Sequence, residues 1–252
     1  MQTEEVMKEV CRFCNSEQAA SFKFCSQCGR RNTQLQEKDE KTENKYRRNL
    51  QYLSVYTLFS IILLLVEALT DTTFEILVIW TVLFALIDII FAVVQPGIWH
   101  KVFPKSLRPE LILLMILIGI VTAVVVSYSV SHINRILFEE VYVYMPMFED
   151  TQYPLPFAIL IVAVCPALFE ELAFRGFVFN NIEVIAGRKS AILGSAFLFG
   201  LVHFSLISLF WIIPFGLMLA YFRSKYSSMF YGMLIHFTHN ASIILLEYYG
   251  YF

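Results

Sequence analysis

Charge is scarce in this chain: 16% of its 252 residues are Asp, Glu, Lys or Arg, against 58% that are hydrophobic. A soluble domain carries about 25% charged residues, so this balance excludes an ordinary water-soluble fold and points to a membrane protein. No basic face interleaved with aromatics occurs, which leaves nucleic-acid binding without support. A cleavable signal peptide is not expected either, because the first fifty residues are polar and the first apolar run is long enough to stay in a bilayer. The amino-terminal segment is therefore expected to remain on the side where it was made. Serine and cysteine nucleophiles are lacking too. None has an evident base partner, and Cys165, five residues before Glu170 on one apolar run, reads as a packing residue.

The cysteines that are present are concentrated. Four of the five lie within residues 1–30, spaced Cys11-x2-Cys14 and Cys25-x2-Cys28. Two such pairs supply four thiolates for a tetrahedral metal, and the gap between them suits the short hairpin of a small ribbon. The segment Phe24-Cys25-Ser26-Gln27-Cys28-Gly29 resembles the second knuckle of the zinc-ribbon family, whereas the first knuckle has Asn15 where that family has glycine. The resemblance implies a structural zinc on Cys11, Cys14, Cys25 and Cys28. Four cysteines fill the coordination sphere, so the role expected is structural or partner-binding. So short a segment has too little core to fold alone, and the metal would supply most of its stability. Residues 31–49 are charged and nearly free of aliphatics, and read as a solvated linker.

Residues 50–252 form the transmembrane domain, with a count of about seven apolar runs: 51–69, 74–95, Pro109 to about Ser131, one from Pro154, then 190–206, 207–222 and 228–249. Each is long enough, or nearly so, to cross about 30 Å of hydrocarbon. An acidic, aromatic connection with Glu139, Glu140, Glu149 and Asp150 fills 132–153. The fifth and sixth runs have no polar loop between them and read equally as one bent helix. The fold class is thus an all-α polytopic membrane protein with a small amino-terminal zinc ribbon. Lys and Arg favour cytoplasmic loops. Seven spans put four basic groups on one side: Lys45, Arg47 and Arg48; Lys101, Lys105 and Arg108; Arg175, Arg188 and Lys189; Arg223 and Lys225. This predicts a cytoplasmic ribbon and an external carboxyl terminus.

Three polar intrusions interrupt the apolar runs. In Phe169-Glu170-Glu171-Leu172-Ala173-Phe174-Arg175 a helix places Glu171 and Arg175 one turn apart on one face, with Glu170 to the side. Phe199 and His203 lie one turn apart in the fifth run, and His236 and Asn240 in the seventh. Polar groups in hydrocarbon persist where they have partners or a function, so these are expected to gather around one water-filled pocket. A carboxylate beside an imidazole can take a proton from water, and an imidazole with an amide can stabilise an oxyanion. Asp88 and Glu67 lie outside these motifs, and His239 reads as a supporting residue or a partner of Asp88. Pro166 frees the carbonyl of Val162 and can widen the cavity beside Glu170. For Glu170 and His203 to share a depth, either the fourth helix begins outside the hydrocarbon and runs past Arg175 to about Ile185, the reading preferred here, or the fifth starts deeper.

In order and spacing the three segments resemble the E-E-x-x-x-R, F-x-x-x-H and H-x-x-x-N motifs of the CAAX prenyl protease and bacteriocin-processing (CPBP, or Abi) family of intramembrane peptidases. The likeness covers about 150–252. It implies an endopeptidase in which Glu170 with His203 activates water and His236 with Asn240 forms the oxyanion site. Arg175 fixes Glu171, and Phe199 supports the pocket wall. The same residues allow a catalytic metal on Glu170, His203 and His236, although the H-E-x-x-H helix of the zincins is missing. The substrate implied is a peptide or protein at the membrane: a prenylated carboxyl-terminal peptide, a leader peptide, a bacteriocin or a membrane-anchored regulator. The overall arrangement resembles a bacterial plasma-membrane member. Two other classes fit the residues, namely a non-catalytic receptor or scaffold whose ribbon binds a protein partner, and a proton-coupled transporter. No inverted repeat speaks for the latter.

Overall fold

A computed structural model of the chain describes residues 8–19, 22–70, 73–138, 143–203 and 209–251. The chain divides into two compact units, Met1–Gln51 and Tyr52–Phe252.

In the first unit β1 (Lys8–Val10) pairs antiparallel with β2 (Glu17–Ala19), Lys8 opposite Ala19 and Val10 opposite Glu17. The two cysteine pairs occupy equivalent turns. The Cys11 N–H donates to the Ser16 carbonyl at 2.9 Å and the Asn15 N–H to the Cys11 carbonyl at 2.8 Å; Cys25 with Arg30, and Gly29 with Cys25, repeat this at 2.8 and 2.9 Å. Each turn closes in the left-handed region, with φ of 56° at Asn15 and 70° at Gly29. Glycine enters that region freely and asparagine is enriched there among the other residues, so Asn15 keeps the first knuckle's backbone like the second. Residues 31–49 differ from a plain linker in being helical from Thr33 onward, since α1 runs Thr33–Glu67. Its first part is rich in Gln, Glu and Lys, which favour helix, and Arg47 pairs with Glu43 at 2.7 Å across one turn.

In the second unit the apolar part of α1 is followed by α2 (Phe74–Val94) and α3 (Pro109–Phe138). Next come α4 (Pro154–Leu201), α5 (Leu209–Tyr226) and α6 (Phe230–Tyr248). The Thr73 hydroxyl accepts the Ile76 N–H at the start of α2. A 3-10 turn, Pro96–Lys101, follows the end of α2, and Pro109 opens α3. Both are positions where a missing N–H is harmless.

The fourth helix is irregular. It contains two π-helical stretches, Ile159–Val164 and Glu171–Val178, and breaks at Gly187 with φ 81° and ψ 174°. It therefore continues past Arg175, and past Ile185, before reversing. The second arm, 188–201, packs antiparallel against α5: Gly200 lies against Leu209 and Ile213, and Gly216 against Ala196 and Phe199. The fifth and sixth apolar runs are thus two packed helices, not one bent one. Residues 204–208 between them, like Glu139 and Glu140, lie outside the described residues.

Among the described residues four helices are long and apolar enough to cross a membrane: 37–67 of α1, α2, 109–136 of α3, and α4 counted whole. Both α5 and α6 are diluted by polar residues, and the second arm of α4 is short, which is why the apolar-run count exceeds four. Large aliphatic side chains on these helices face outward, among them Leu113 at 70% and Leu117 at 55% exposure. Apolar faces of that extent suit lipid rather than water. Inside, α3 packs along α6. A methyl group at Gly119 would fall 1.8 Å from the Thr238 hydroxyl, so that crossing requires glycine. A core of Tyr56, Ala92, Phe174, Phe177, Phe199 and Met229 fixes α4 against α1, α2 and the start of α6.

Candidate active site

Glu171 and Arg175 are both fully buried, and their ion pair closes at 2.8 Å between Glu171 Oε1 and Arg175 Nη1. Breaking such a pair by removing one partner leaves a stranded charge, so each residue holds the other in place. The same Oε1 meets His236 Nδ1 at 3.2 Å. A carboxylate can only accept here, so His236 donates Nδ1–H and turns Nε2 toward Glu170 Oε2, 3.9 Å away. Glu170 keeps 30% of its side chain exposed, yet its Oε2 is buried and without a hydrogen-bond partner among the described residues. The gap between these two acceptors is too long for a direct bond and suits a shared water.

Phe199 joins the parts. The Arg175 guanidinium lies over its ring at 4.2 Å, His203 meets it at 4.9 Å and His236 at 5.9 Å between ring centroids. His203 is exposed, with Nδ1 donating to the Phe199 carbonyl at 2.8 Å. Among the described residues no hydrogen bond or ion pair joins His203 to Glu170, and the nearest imidazole to that carboxylate is His236. Asn240 donates an amide N–H to the Val162 carbonyl at 2.8 Å. This is the carbonyl that Pro166, having no N–H, leaves open. The amide of α6 thereby closes the flaw that the proline makes in α4, and His236 and Asn240 both address that helix. Cys165 is partly buried beside this kink, with a free thiol.

Several supporting residues are not apparent from the motifs. A Cβ at Gly232, one turn before His236, would sit 2.7 Å from Glu171 Oε2, so the helix approaches the carboxylate as closely as glycine permits. Arg223, read from the sequence only as a topological marker, is buried and donates Nε–H to the Arg175 carbonyl at 2.9 Å. That carbonyl lies in the second π-helical stretch, where the regular bonding pattern is lost. Asn181 is buried and accepts from the Gln95 amide at 2.7 Å. A charge inside an apolar helix was the available signal for Arg223; the two amides gave none. Asp88 accepts the Tyr56 hydroxyl at 3.0 Å. His239 meets the Thr122 hydroxyl at 3.0 Å and packs, tilted by 38°, against the Phe215 ring at 4.5 Å between centroids. The expected alternative of an Asp88–His239 pair is therefore not formed. Glu67 is partly buried near the end of α1, away from these groups.

Two sets of residues raise the question of a metal. In the first unit the sulfurs of Cys11, Cys14, Cys25 and Cys28 all lie within 4.8 Å of one another. Cys11 and Cys28 are 3.8 Å apart and Cys14 and Cys25 3.6 Å. Sulfurs at about 2.3 Å from a tetrahedral zinc would be about 3.8 Å apart, so the cluster can hold a metal ion and fits a zinc ribbon. The Ser16 hydroxyl and the Cys28 backbone amide hold the Cys25 thiol down to about 6, toward the thiolate a metal needs. In the bundle, the donor atoms of Glu170, His203 and His236 do not form such a gathered group among the described residues. The set does not fit a single metal as it stands.

No curated protein and no solved structure matches the chain. A family model does match, over the residues that carry the Glu-Glu, Phe-His and His-Asn pairs. The matched segment, 152–242, carries the Glu171–Arg175 and Glu171–His236 contacts, and it is similar to the family described as type II CAAX prenyl endopeptidase Rce1-like.

Proposed function

We propose that the chain is an intramembrane endopeptidase that uses Glu170 to activate water against a peptide bond. The observation that carries this reading is the orphan Glu170 Oε2 facing His236 Nε2 across 3.9 Å. A water between them donates a proton to each acceptor and keeps its lone pairs for attack. Its oxygen bonds to the substrate carbonyl carbon while Glu170 takes a proton; the C–N bond then breaks, and Glu170 returns that proton to the leaving amine. Glu171, gripped by Arg175, holds the His236 ring. Phe199 separates the two imidazoles. The geometry favours exchanging the roles expected for the histidines: His236 stands beside Glu170, and His203 and the second amide N–H of Asn240 are left for the oxyanion.

The chain is an integral membrane protein. We assign it about seven crossings, with a zinc-bearing ribbon on the cytoplasmic side and the carboxyl terminus outside, in a bacterial plasma membrane. In support, Lys101, Arg188 and Arg223 are drawn to one end of the bundle, where Lys101 and Arg223 share Asn180 and Arg188 bonds Ser224. Glu247, at the far end of α6, binds the Tyr144 and Met145 amides at 2.7 and 3.1 Å. The substrate is a membrane-associated peptide, and the ribbon is a docking element for a protein partner.

The test is mass spectrometry of membrane peptides from cells carrying the wild-type chain or Glu170→Gln. Peptides that arise only with the wild type, and fall by about 10²–10⁴-fold in the variant, are expected. An identical peptide set from both strains, with equal amounts of folded protein, would sink the reading.

A further inference from the structure

At the end of the bundle marked by the break at Gly187, two cations share one neutral oxygen and a third is held on the helix beside them. Lys101 Nζ and Arg223 Nη2 both donate to Asn180 Oδ1, at 3.2 and 3.1 Å. Arg188 adds a third cation, bonded to the hydroxyl and carbonyl of Ser224, next to Arg223. The carboxylate that acts on both Lys101 and Arg223 is Glu183, a single negative charge for the two of them. Burial, and next the charge of Arg223, hold the Lys101 ammonium below its ordinary range. An amide oxygen shared by two cations compensates neither charge, and the cluster is electrostatically short of an anion.

Its place in the fold identifies the kind of anion. Lys101 ends the 3-10 turn that follows α2, Arg223 lies in the last turn of α5, and Asn180 and Glu183 follow the last apolar stretch before the break in α4. All three elements leave their apolar segments at this level, which is where hydrocarbon gives way to headgroups. Trp99 and Tyr221, on the same elements, are 45% and 50% exposed, and Phe103, just beyond the 3-10 turn, is 65% exposed. Exposed Trp and Tyr beside cations mark a membrane interface, and basic pockets between helices there bind anionic headgroups.

We propose that Lys101, Arg188 and Arg223 form a binding site for the phosphate of an anionic phospholipid. Lys101 and Arg188 reach the headgroup from the open side, and Arg223 supplies charge from behind. Because Arg223 also holds the Arg175 carbonyl, the lipid is tied to the turn that carries the buried ion pair. The inference stands on the cation cluster and is independent of peptide cleavage.

The test uses the full-length chain in detergent with equimolar phosphatidylglycerol and phosphatidylcholine of matched acyl chains, read by native mass spectrometry. The wild type is expected to retain phosphatidylglycerol in clear preference. Lys101→Gln and Arg188→Gln should each lower its bound fraction by about fivefold, and Lys105→Gln should not. Equal retention of the two lipids overturns the proposal, as does wild-type retention by both cluster variants. Displacement of the lipid by millimolar inorganic phosphate also overturns it, by making the site one for a soluble anion. Should Lys101→Gln unfold, the exposed Arg188 carries the test.

Discussion

The ribbon and the bundle both assemble polar side chains around a centre, but they hold them by opposite means. In the ribbon the sulfurs of Cys11, Cys14, Cys25 and Cys28 converge in a segment with almost no core, so their own ligand must bind the turns together. In the bundle the centre is held from outside: Glu171 and Arg175 are fully buried with Phe199 against the guanidinium, and two flaws in the helix have partners on other helices. Asn240 closes the gap at Pro166, and Arg223 closes the one at Arg175. The ribbon should therefore fail all at once when its ligand is lost, whereas the bundle should lose stability in separable steps.

That contrast can be broken at several points. Chelation, or Cys25→Ser, should unfold the ribbon outright, since structural zinc supplies about 10–16 kcal/mol in small domains. Hydrogen exchange should lose protection across 8–32 while the helices of 74–94 and 109–138 keep theirs; protection retained in the ribbon would contradict the contrast. Glu171→Ala should destabilise the bundle by about 3–5 kcal/mol, read as thermal unfolding in detergent, because it strands Arg175. A shift no larger than that of an exposed control such as Glu43→Ala would mean that the pair is not buried in solution.

Asn240→Ala should cost about 1–3 kcal/mol by leaving the Val162 carbonyl open. The loss should shrink when Pro166→Ala is already present, since alanine restores the missing N–H. Additive effects in that double-mutant cycle would separate Asn240 from the proline. The smallest effect is expected at Asn15→Gly, which relieves the left-handed backbone by less than about 1 kcal/mol and should tighten zinc binding in a competition assay by only a few-fold. Weaker binding would mean that the Asn15 side chain contributes beyond its φ.

The ribbon was legible because metal ligation fixes spacing, and spacing is written along the chain. The one departure, Asn15, is absorbed by backbone chemistry. In the bundle the one-turn pairing of Glu171 with Arg175 followed from helix geometry alone, and so did the freed carbonyl at Val162. Its partner did not, because a contact between residues 162 and 240 depends on how two helices face each other. The choice between His203 and His236 as the neighbour of Glu170 was hidden for the same reason. The helical form of 33–49 was obscured because charge reads as solvation, whereas the Glu43–Arg47 pair shows charge supporting a helix. Span number was the least legible feature. Hydropathy separates the fourth and fifth apolar runs, whereas the structure joins them in one helix broken at Gly187, and the sign of φ there is not registered by hydropathy.

At Gly232 a single hydrogen atom faces Glu171 Oε2. A crowded carboxylate would ordinarily rotate aside, but this one is gripped on its other oxygen by Arg175 and His236. An added methyl group would thus act as a wedge, prising the acid from its two donors and turning the imidazole away from Glu170. The smallest residue on α6 sets the gauge of the whole centre.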